Sequence, residues 1–119
     1  MPTKDQHVKK ATENEKLADS MQPSSQALIN WKLVILFYAA LHFVEAYLAK
    51  TLDVHVRSHT TRDNYVAREA NLRKLRIQYM HLKFFGYNAR YEADCFTAAE
   101  VTEALADLAK VKGAIQPLI

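Results

Sequence analysis

Residues 33–49 read LVILFYAALHFVEAYLA, and this stretch decides the fold of the protein. On a helical projection, residues such as Leu33, Phe37 and Val44 share one side, while Ile35 and other large side chains lie on the opposite side. A helix that is apolar all round belongs at the centre of a bundle, where other helices or a second subunit cover it. We therefore predict a central helix from about residue 25 to residue 52.

A membrane-spanning helix is the alternative interpretation of this segment. It would have to bury His42 and Glu45 in lipid, which is costly. The longest uninterrupted apolar run, Leu33 to Leu41, is also far shorter than the ~20 residues that a span needs. The N-terminus, MPTKDQHVKK, has no apolar signal core. We expect a cytoplasmic protein with no membrane partner.

Helical periodicity extends outward from the central segment in both directions. Three capping boxes predict helix starts: Thr3-x-x-Gln6, Thr60-x-x-Asp63 and Thr97-x-x-Glu100. The first helix, about residues 2–21, has few apolar residues and is expected to pack loosely. The segment after Thr60 is either one long helix or two, with a break near Asn71 and a bend near Gly86, and Pro117 should end the last helix.

Length and composition support one helical domain over residues 1–119. The 119 residues include only two Gly and three Pro, which argues against a turn-rich β fold. We predict an all-α, up-and-down bundle of four to five helices. The single cysteine, Cys95, excludes an internal disulfide and a multi-cysteine zinc site.

The usual signatures of nucleotide-handling enzymes are missing from the sequence. There is no glycine-rich phosphate loop, no G-x-S-x-G elbow and no HExxH. His55 and His59 are four residues apart, but they fall in a predicted loop without a defined third ligand. We expect no metal and no cofactor.

The basic residues are concentrated in one third of the chain. The segment from Arg57 to Arg90 has a net charge of +6, within a protein whose overall charge is +3. Such a surface can bind phosphate groups or an acidic partner, although a solvated helix face would look the same. The candidate RNA- or phosphate-binding residues are Arg57, Arg62, Arg73, Lys74 and Arg90. Arg90 could instead form an ion pair with Glu45 or Glu92.

A polar stripe interrupts the apolar central helix. Tyr38, His42 and Glu45 are spaced i, i+4 and i+7, so they share one face. They could form a polarised catalytic base or a buried hydrogen-bond network. His59 is predicted to interact with Arg62 and so to extend this polar cluster.

Arg76 and His81 are the candidate catalytic residues. Residues five apart lie about 140° apart around a helix, so these two could meet only through a bend or a second copy of the chain. An enzyme that relies on Arg and His without metal would suit phosphodiester cleavage, with His as the base and Arg stabilising charge on phosphorus. Two basic residues on a helix surface are the simpler interpretation.

Three segments resemble the HEPN superfamily of small prokaryotic helical-bundle proteins. They are FYAALHFVEAYLA at Phe37 to Ala49, SHTTRDNYV at Ser58 to Val66, and YMHLKFFGYNARY at Tyr79 to Tyr91. The likeness to an uncharacterised branch of that superfamily covers about residues 25–118. It implies a helical bundle that commonly forms a homodimer.

The resemblance also implies a function. Many HEPN proteins are ribonucleases of toxin–antitoxin or defence systems, with an R-x4-6-H motif completed across the dimer. Arg76 and His81 match this motif by spacing, although Ile77 stands where active members usually have a polar residue. The implied partners are RNA and a nucleotidyltransferase-type antitoxin on a separate chain. Other members are non-catalytic modules that bind proteins or nucleotides.

Overall fold

The computed structural model describes residues 1–92 and 95–119 and confirms the all-α fold class. Within these ranges there are six α-helices and no strand. The helices are α1 (Lys4–Ser20), α2 (Gln26–Tyr47), α3 (His59–Arg68), α4 (Ala70–Arg73), α5 (Arg76–Tyr91) and α6 (Ala98–Ile115). A π-helical turn, Leu48–Leu52, continues α2, and a 3-10 turn, Gln116–Leu118, follows α6.

The central position of α2 is as predicted. Helices α1, α5 and α6 pack around it, and most of its side chains from Lys32 to Tyr47 are buried within one chain. Of the two ways in which the apolar faces of α2 could be covered, neighbouring helices of the same chain account for most of the helix. Only its N-terminal part leaves large apolar side chains uncovered, with Trp31 54% exposed and Leu28 36% exposed.

The stretch Gln26–Leu52 is the segment for which a membrane span was the alternative interpretation. By length and composition it is apolar enough to cross a bilayer, with a mean hydropathy of 1.7 over its most apolar window. More than half of that window is buried inside the protein, as in the core helix of a soluble protein. The finding is weak evidence for either environment.

Two of the three predicted capping boxes are present. The side chains of Thr3 and Thr97 each accept a hydrogen bond from a backbone N–H of the first turn. In return, the side chains of Gln6 and Glu100 accept from the backbone N–H groups of Thr3 and Thr97. The predicted start of α3 is wrong by two residues, because Ser58 caps this helix and accepts from the Thr61 N–H at 3.1 Å. Asp63 is not available for capping because it binds Lys83 of α5.

Helix α1 packs against α2 along its length, contrary to the loose packing that was expected. His7, Ala11 and Ala18 are buried, and the small alanine side chains let the two helices approach closely. At the far end, Lys32 of α2 donates to the Met21 carbonyl at 3.2 Å. A few small buried residues and one hydrogen bond at the end of α1 thus join it to α2.

The helix breaks near Asn71, which decides between the one long helix and the two helices that the sequence left open. The Glu69 carboxylate caps the single turn of α4 by accepting from the Asn71 and Leu72 N–H groups. The predicted bend at Gly86 is wrong, since α5 is continuous through this residue. Gly86 instead allows close packing: a Cβ there would lie 2.9 Å from the Cβ of Phe37.

Candidate functional site

A cavity of about 330 Å³ lies between α2, the start of α3 and the second half of α5. We call it the aromatic–basic pocket, after the side chains that line it: Phe37, Tyr38, His59, Lys83, Gly86, Tyr87, Arg90 and Tyr91. The close approach of Gly86 to Phe37 forms one wall. Of the predicted site residues, Tyr38, His59 and Arg90 meet here.

The rim of the pocket is aromatic and exposed. Tyr87 and Tyr91 are 54% and 61% exposed, and their ring centroids are 5.2 Å apart on successive turns of α5. The Arg90 guanidinium lies 5.1 Å from the Tyr91 ring centroid, a cation–π distance. Exposed aromatic rings beside a cation form a surface on which a planar ligand can stack.

Arg90 does not pair with Glu45 or Glu92 as the sequence suggested. Its Nη1 donates to the Tyr38 hydroxyl at 3.0 Å, and no carboxylate of the described residues lies within ion-pair distance. Glu45 is unavailable because Arg62 occupies it. Within residues 1–92 and 95–119, the charge of Arg90 is therefore open to an anionic ligand.

Lys83 and His59 also line the pocket. Lys83 is held by Asp63 of α3, which neutralises most of its charge. Burial lowers the pKa of His59, and the nearby charges of Arg62 and Lys83 lower it further. His59 is therefore neutral at pH 7, and its Nδ1 lies 3.1 Å from Nη1 of Arg62, from which it accepts a hydrogen bond. The predicted contact between these two residues is confirmed.

The three residues of the predicted polar stripe on α2 lie at two different sites. Glu45 is buried and accepts two hydrogen bonds from Arg62, at 3.1 Å from Nε and 2.6 Å from Nη2. His42 Nδ1 lies 3.6 Å from the other carboxylate oxygen of Glu45. Tyr38 faces the aromatic–basic pocket instead. Arg62 is only 5% exposed, so its assignment as a phosphate-binding residue is wrong.

Sequence reasoning missed His7, which completes a cluster with His42 and Glu45. Its Nδ1 lies 3.1 Å from Nδ1 of His42 and 3.2 Å from Oε2 of Glu45. Burial lowers the pKa of both histidines, and Glu45 opposes this effect in part. The available signal was the shared helical face of His7, Ala11 and Ala18, which marks the buried side of α1. We call His7, His42 and Glu45 the His–Glu cluster.

The candidate catalytic pair is not brought together within one chain. His81 Nδ1 lies 2.5 Å from Oδ2 of Asp107 on α6. The centroid of the His81 ring lies 4.2 Å from the centroid of the Phe85 ring. Arg76 is exposed in the first turn of α5 and is not bonded to His81. Asp107 was missed because nothing in the sequence shows which residues of α6 face α5.

The remaining predicted phosphate-binding residues are scattered. Arg73 and Lys74 are exposed at the end of α4, outside the aromatic–basic pocket. Arg57 is exposed in the loop before α3 and lines a different cavity beside Glu45. The basic third of the chain is therefore not one continuous site.

Comparison with protein-family models, curated proteins and solved structures finds no match.

Proposed function

We propose that this chain is a HEPN-like domain that binds single-stranded RNA in the aromatic–basic pocket. The observation that carries the proposal is the exposed pair Tyr87 and Tyr91 beside Arg90, whose charge no carboxylate of the described residues neutralises. Stacking of bases on aromatic rings next to cations is a common way to hold single strands.

The dimensions and chemistry of the pocket suit one nucleotide unit. A volume of about 330 Å³ falls at the lower end of small-ligand sites. A base would stack on Tyr91 or Tyr87, and a phosphate would approach Arg90. Lys83 would contribute once a phosphate competes with Asp63 for its ammonium group. Sequence preference is expected to be weak, because every base offers a π face.

Fluorescence anisotropy with a short labelled single-stranded RNA tests this proposal. Tyr91→Ala should weaken binding about tenfold, since one stacked base is worth roughly 1–3 kcal/mol. Phe84→Ala is the matched control, because Phe84 lies on the same helix and is 54% exposed, close to the 61% of Tyr91, but does not line the pocket. Equal affinities for wild type and Tyr91→Ala would reject the pocket as the RNA site.

Metal-independent RNA cleavage is the second candidate function, and the His81–Asp107 contact favours it. A carboxylate on Nδ1 orients the imidazole and leaves Nε2 to accept a proton, as in other general bases. His81 would take the 2′-hydroxyl proton while Arg76 of a second copy stabilises the phosphorus centre. Glu103, 3.9 Å from Nε2 of His81, opposes the approach of phosphate.

An RNA cleavage assay in EDTA tests the catalytic role. We expect cleavage by wild type that is lost in His81→Ala and in Arg76→Ala. Both variants are first shown to be folded and in the wild-type oligomeric state in the same EDTA buffer. Equal cleavage by all three proteins, or none by wild type, would reject this site.

The proposed setting follows from the same family resemblance. We expect a cytoplasmic homodimer, with an antitoxin of the nucleotidyltransferase type as a partner on a separate chain. A non-catalytic module that binds a protein instead of RNA is the alternative. It predicts no RNA affinity at any salt concentration.

A further inference from the structure

The His–Glu cluster brings three potential ligand atoms to one point between α1 and α2. The separations are 3.1 Å between the two Nδ1 atoms, 3.2 Å from His7 Nδ1 to Glu45 Oε2, and 3.6 Å from His42 Nδ1 to the same oxygen. A tetrahedral ion with bonds of about 2.0–2.1 Å places its ligand atoms about 3.3–3.4 Å apart. The cluster has these dimensions.

Neutral histidines leave this arrangement short of one positive group. His7 and His42 can place one proton between their Nδ1 atoms, which are 3.1 Å apart. The Nδ1 atom that accepts this proton then carries no proton of its own beside Oε2 of Glu45, at 3.2 Å for His7 or 3.6 Å for His42. A cation bound by all three atoms would remove the repulsion between these acceptors, as would one further proton.

The surroundings hold the three ligand atoms in place. His42 and Glu45 are i and i+3 on α2, a spacing with which a histidine and a glutamate ligate one ion in helical bundles. Arg62 binds only Oε1 of Glu45 and so orients Oε2 towards the histidines. Such outer contacts to a ligating carboxylate are typical of metal sites.

A fourth ligand position is also available. A cavity of about 210 Å³ lies beside the cluster and is lined by His7, Glu45 and His55, among other residues. His55 Nδ1 is buried and has no hydrogen-bond partner among the described residues. The fourth ligand would be a water molecule in this cavity or, after a side-chain rotation, His55.

We propose that His7, His42 and Glu45 bind one divalent transition-metal ion of the zinc type. Two imidazoles and one carboxylate are a ligand set that Zn²⁺ accepts, with a fourth position left for water. The ion would join α1 to the central helix. This proposal departs from the expectation from sequence that the protein binds no metal, and it does not depend on the proposed RNA function.

Isothermal titration calorimetry with Zn²⁺ tests the site on the untagged chain, because a polyhistidine tag would itself bind the ion. We expect one ion per chain with micromolar or tighter affinity. His7→Ala and His42→Gln should each weaken binding by tenfold or more, while the control His81→Gln should bind like wild type. A second control, Cys95→Ser, removes the exposed thiol and should also bind like wild type.

X-ray absorption at the zinc edge of the wild-type complex keeps the test independent of variant folding. The expected spectrum has nitrogen and oxygen neighbours, with the multiple scattering of two imidazole rings. Absence of Zn²⁺ binding by wild type, sulfur scattering, or unchanged affinity in folded His7→Ala and His42→Gln would each overturn the proposal.

Discussion

The Arg62 guanidinium donates two hydrogen bonds to one carboxylate oxygen of Glu45, and both side chains are buried. This pair links α3 to the central helix and leaves the other oxygen of Glu45 to face His7 and His42. It is also why Arg62 cannot serve an external phosphate. One buried ion pair thus separates the aromatic–basic pocket from the His–Glu cluster.

Replacing Arg62 with Met should strongly destabilise the fold. The substitution leaves the Glu45 carboxylate buried without its partner, and breaking such a pair typically costs about 3–5 kcal/mol. Urea denaturation would measure the change in the free energy of unfolding. Arg68→Met, an exposed position on the same helix, should change it by less than about 0.5 kcal/mol. A small effect of Arg62→Met would show that Glu45 does not depend on this contact.

The two glycines should respond to alanine in opposite directions. At Gly86 the added Cβ would lie 2.9 Å from Phe37, and overpacking of this kind costs about 1–3 kcal/mol. At Gly113 nothing lies within 4 Å, so Gly113→Ala should stabilise α6 by about 0.5–1 kcal/mol. Thermal denaturation would show a lower midpoint for the first variant and a higher midpoint for the second. An unchanged or higher midpoint for Gly86→Ala would contradict the packing described for Gly86.

Acidification should destabilise the protein in part through His59. Its pKa in the folded state lies below the ordinary value of 6.5, so the unfolded chain binds the proton more tightly. The stability that neutral His59 contributes is present above pH 6.5 and is lost as the pH falls through its folded-state pKa. In His59→Asn the amide oxygen can still accept from Arg62 but does not titrate.

The comparison is made by urea denaturation of wild type and His59→Asn between about pH 7.5 and pH 5. Wild type should lose more stability over this range than the variant. His7 and His42 also have lowered pKa values, but they are common to both proteins and their contribution cancels. Parallel pH profiles would mean that His59 is not held neutral by its surroundings.

RNA affinity should depend on salt through Arg90. Each phosphate contact contributes about 0.7 to the slope of log affinity against log salt for single strands. Arg90→Gln should reduce the slope by about that amount, whereas Arg73→Gln should leave it unchanged. Anisotropy titrations at several salt concentrations give the slopes. Equal reductions in both variants would favour a diffuse basic surface over the pocket.

The homodimer is expected to use the uncovered N-terminal part of α2. Trp31→Glu would place a charge on this apolar surface and should give a monomer by sedimentation at micromolar concentration. Ile77→Glu is the matched test of a second surface, because Ile77 is 80% exposed beside Arg76. If only Ile77→Glu gave a monomer, we would place the interface at the start of α5 instead. Monomeric wild type would reject the dimer.

Local signals in the sequence were enough to predict the fold class and most helix ends. The all-round apolar pattern of α2 places it in the centre, and the capping boxes at Thr3 and Thr97 mark two helix starts, because caps depend on residues three positions apart. The start of α3 was misplaced because Asp63 binds Lys83, twenty residues away in sequence. The bend expected at Gly86 failed for a similar reason, since that glycine serves a contact with α2.

The sequence by itself determined that this chain forms an all-α bundle with α2 at its core, since helical periodicity and capping are local properties. It also placed His42 and Glu45 on one face of that helix. Only the tertiary structure decided that His7 contacts these two residues and that Arg62 is buried. It also decided that Arg90 donates to the Tyr38 hydroxyl and that His81 contacts Asp107. These contacts join residues on different helices, so they depend on how the helices rotate about their axes as they pack, and single-sequence periodicity does not specify that rotation.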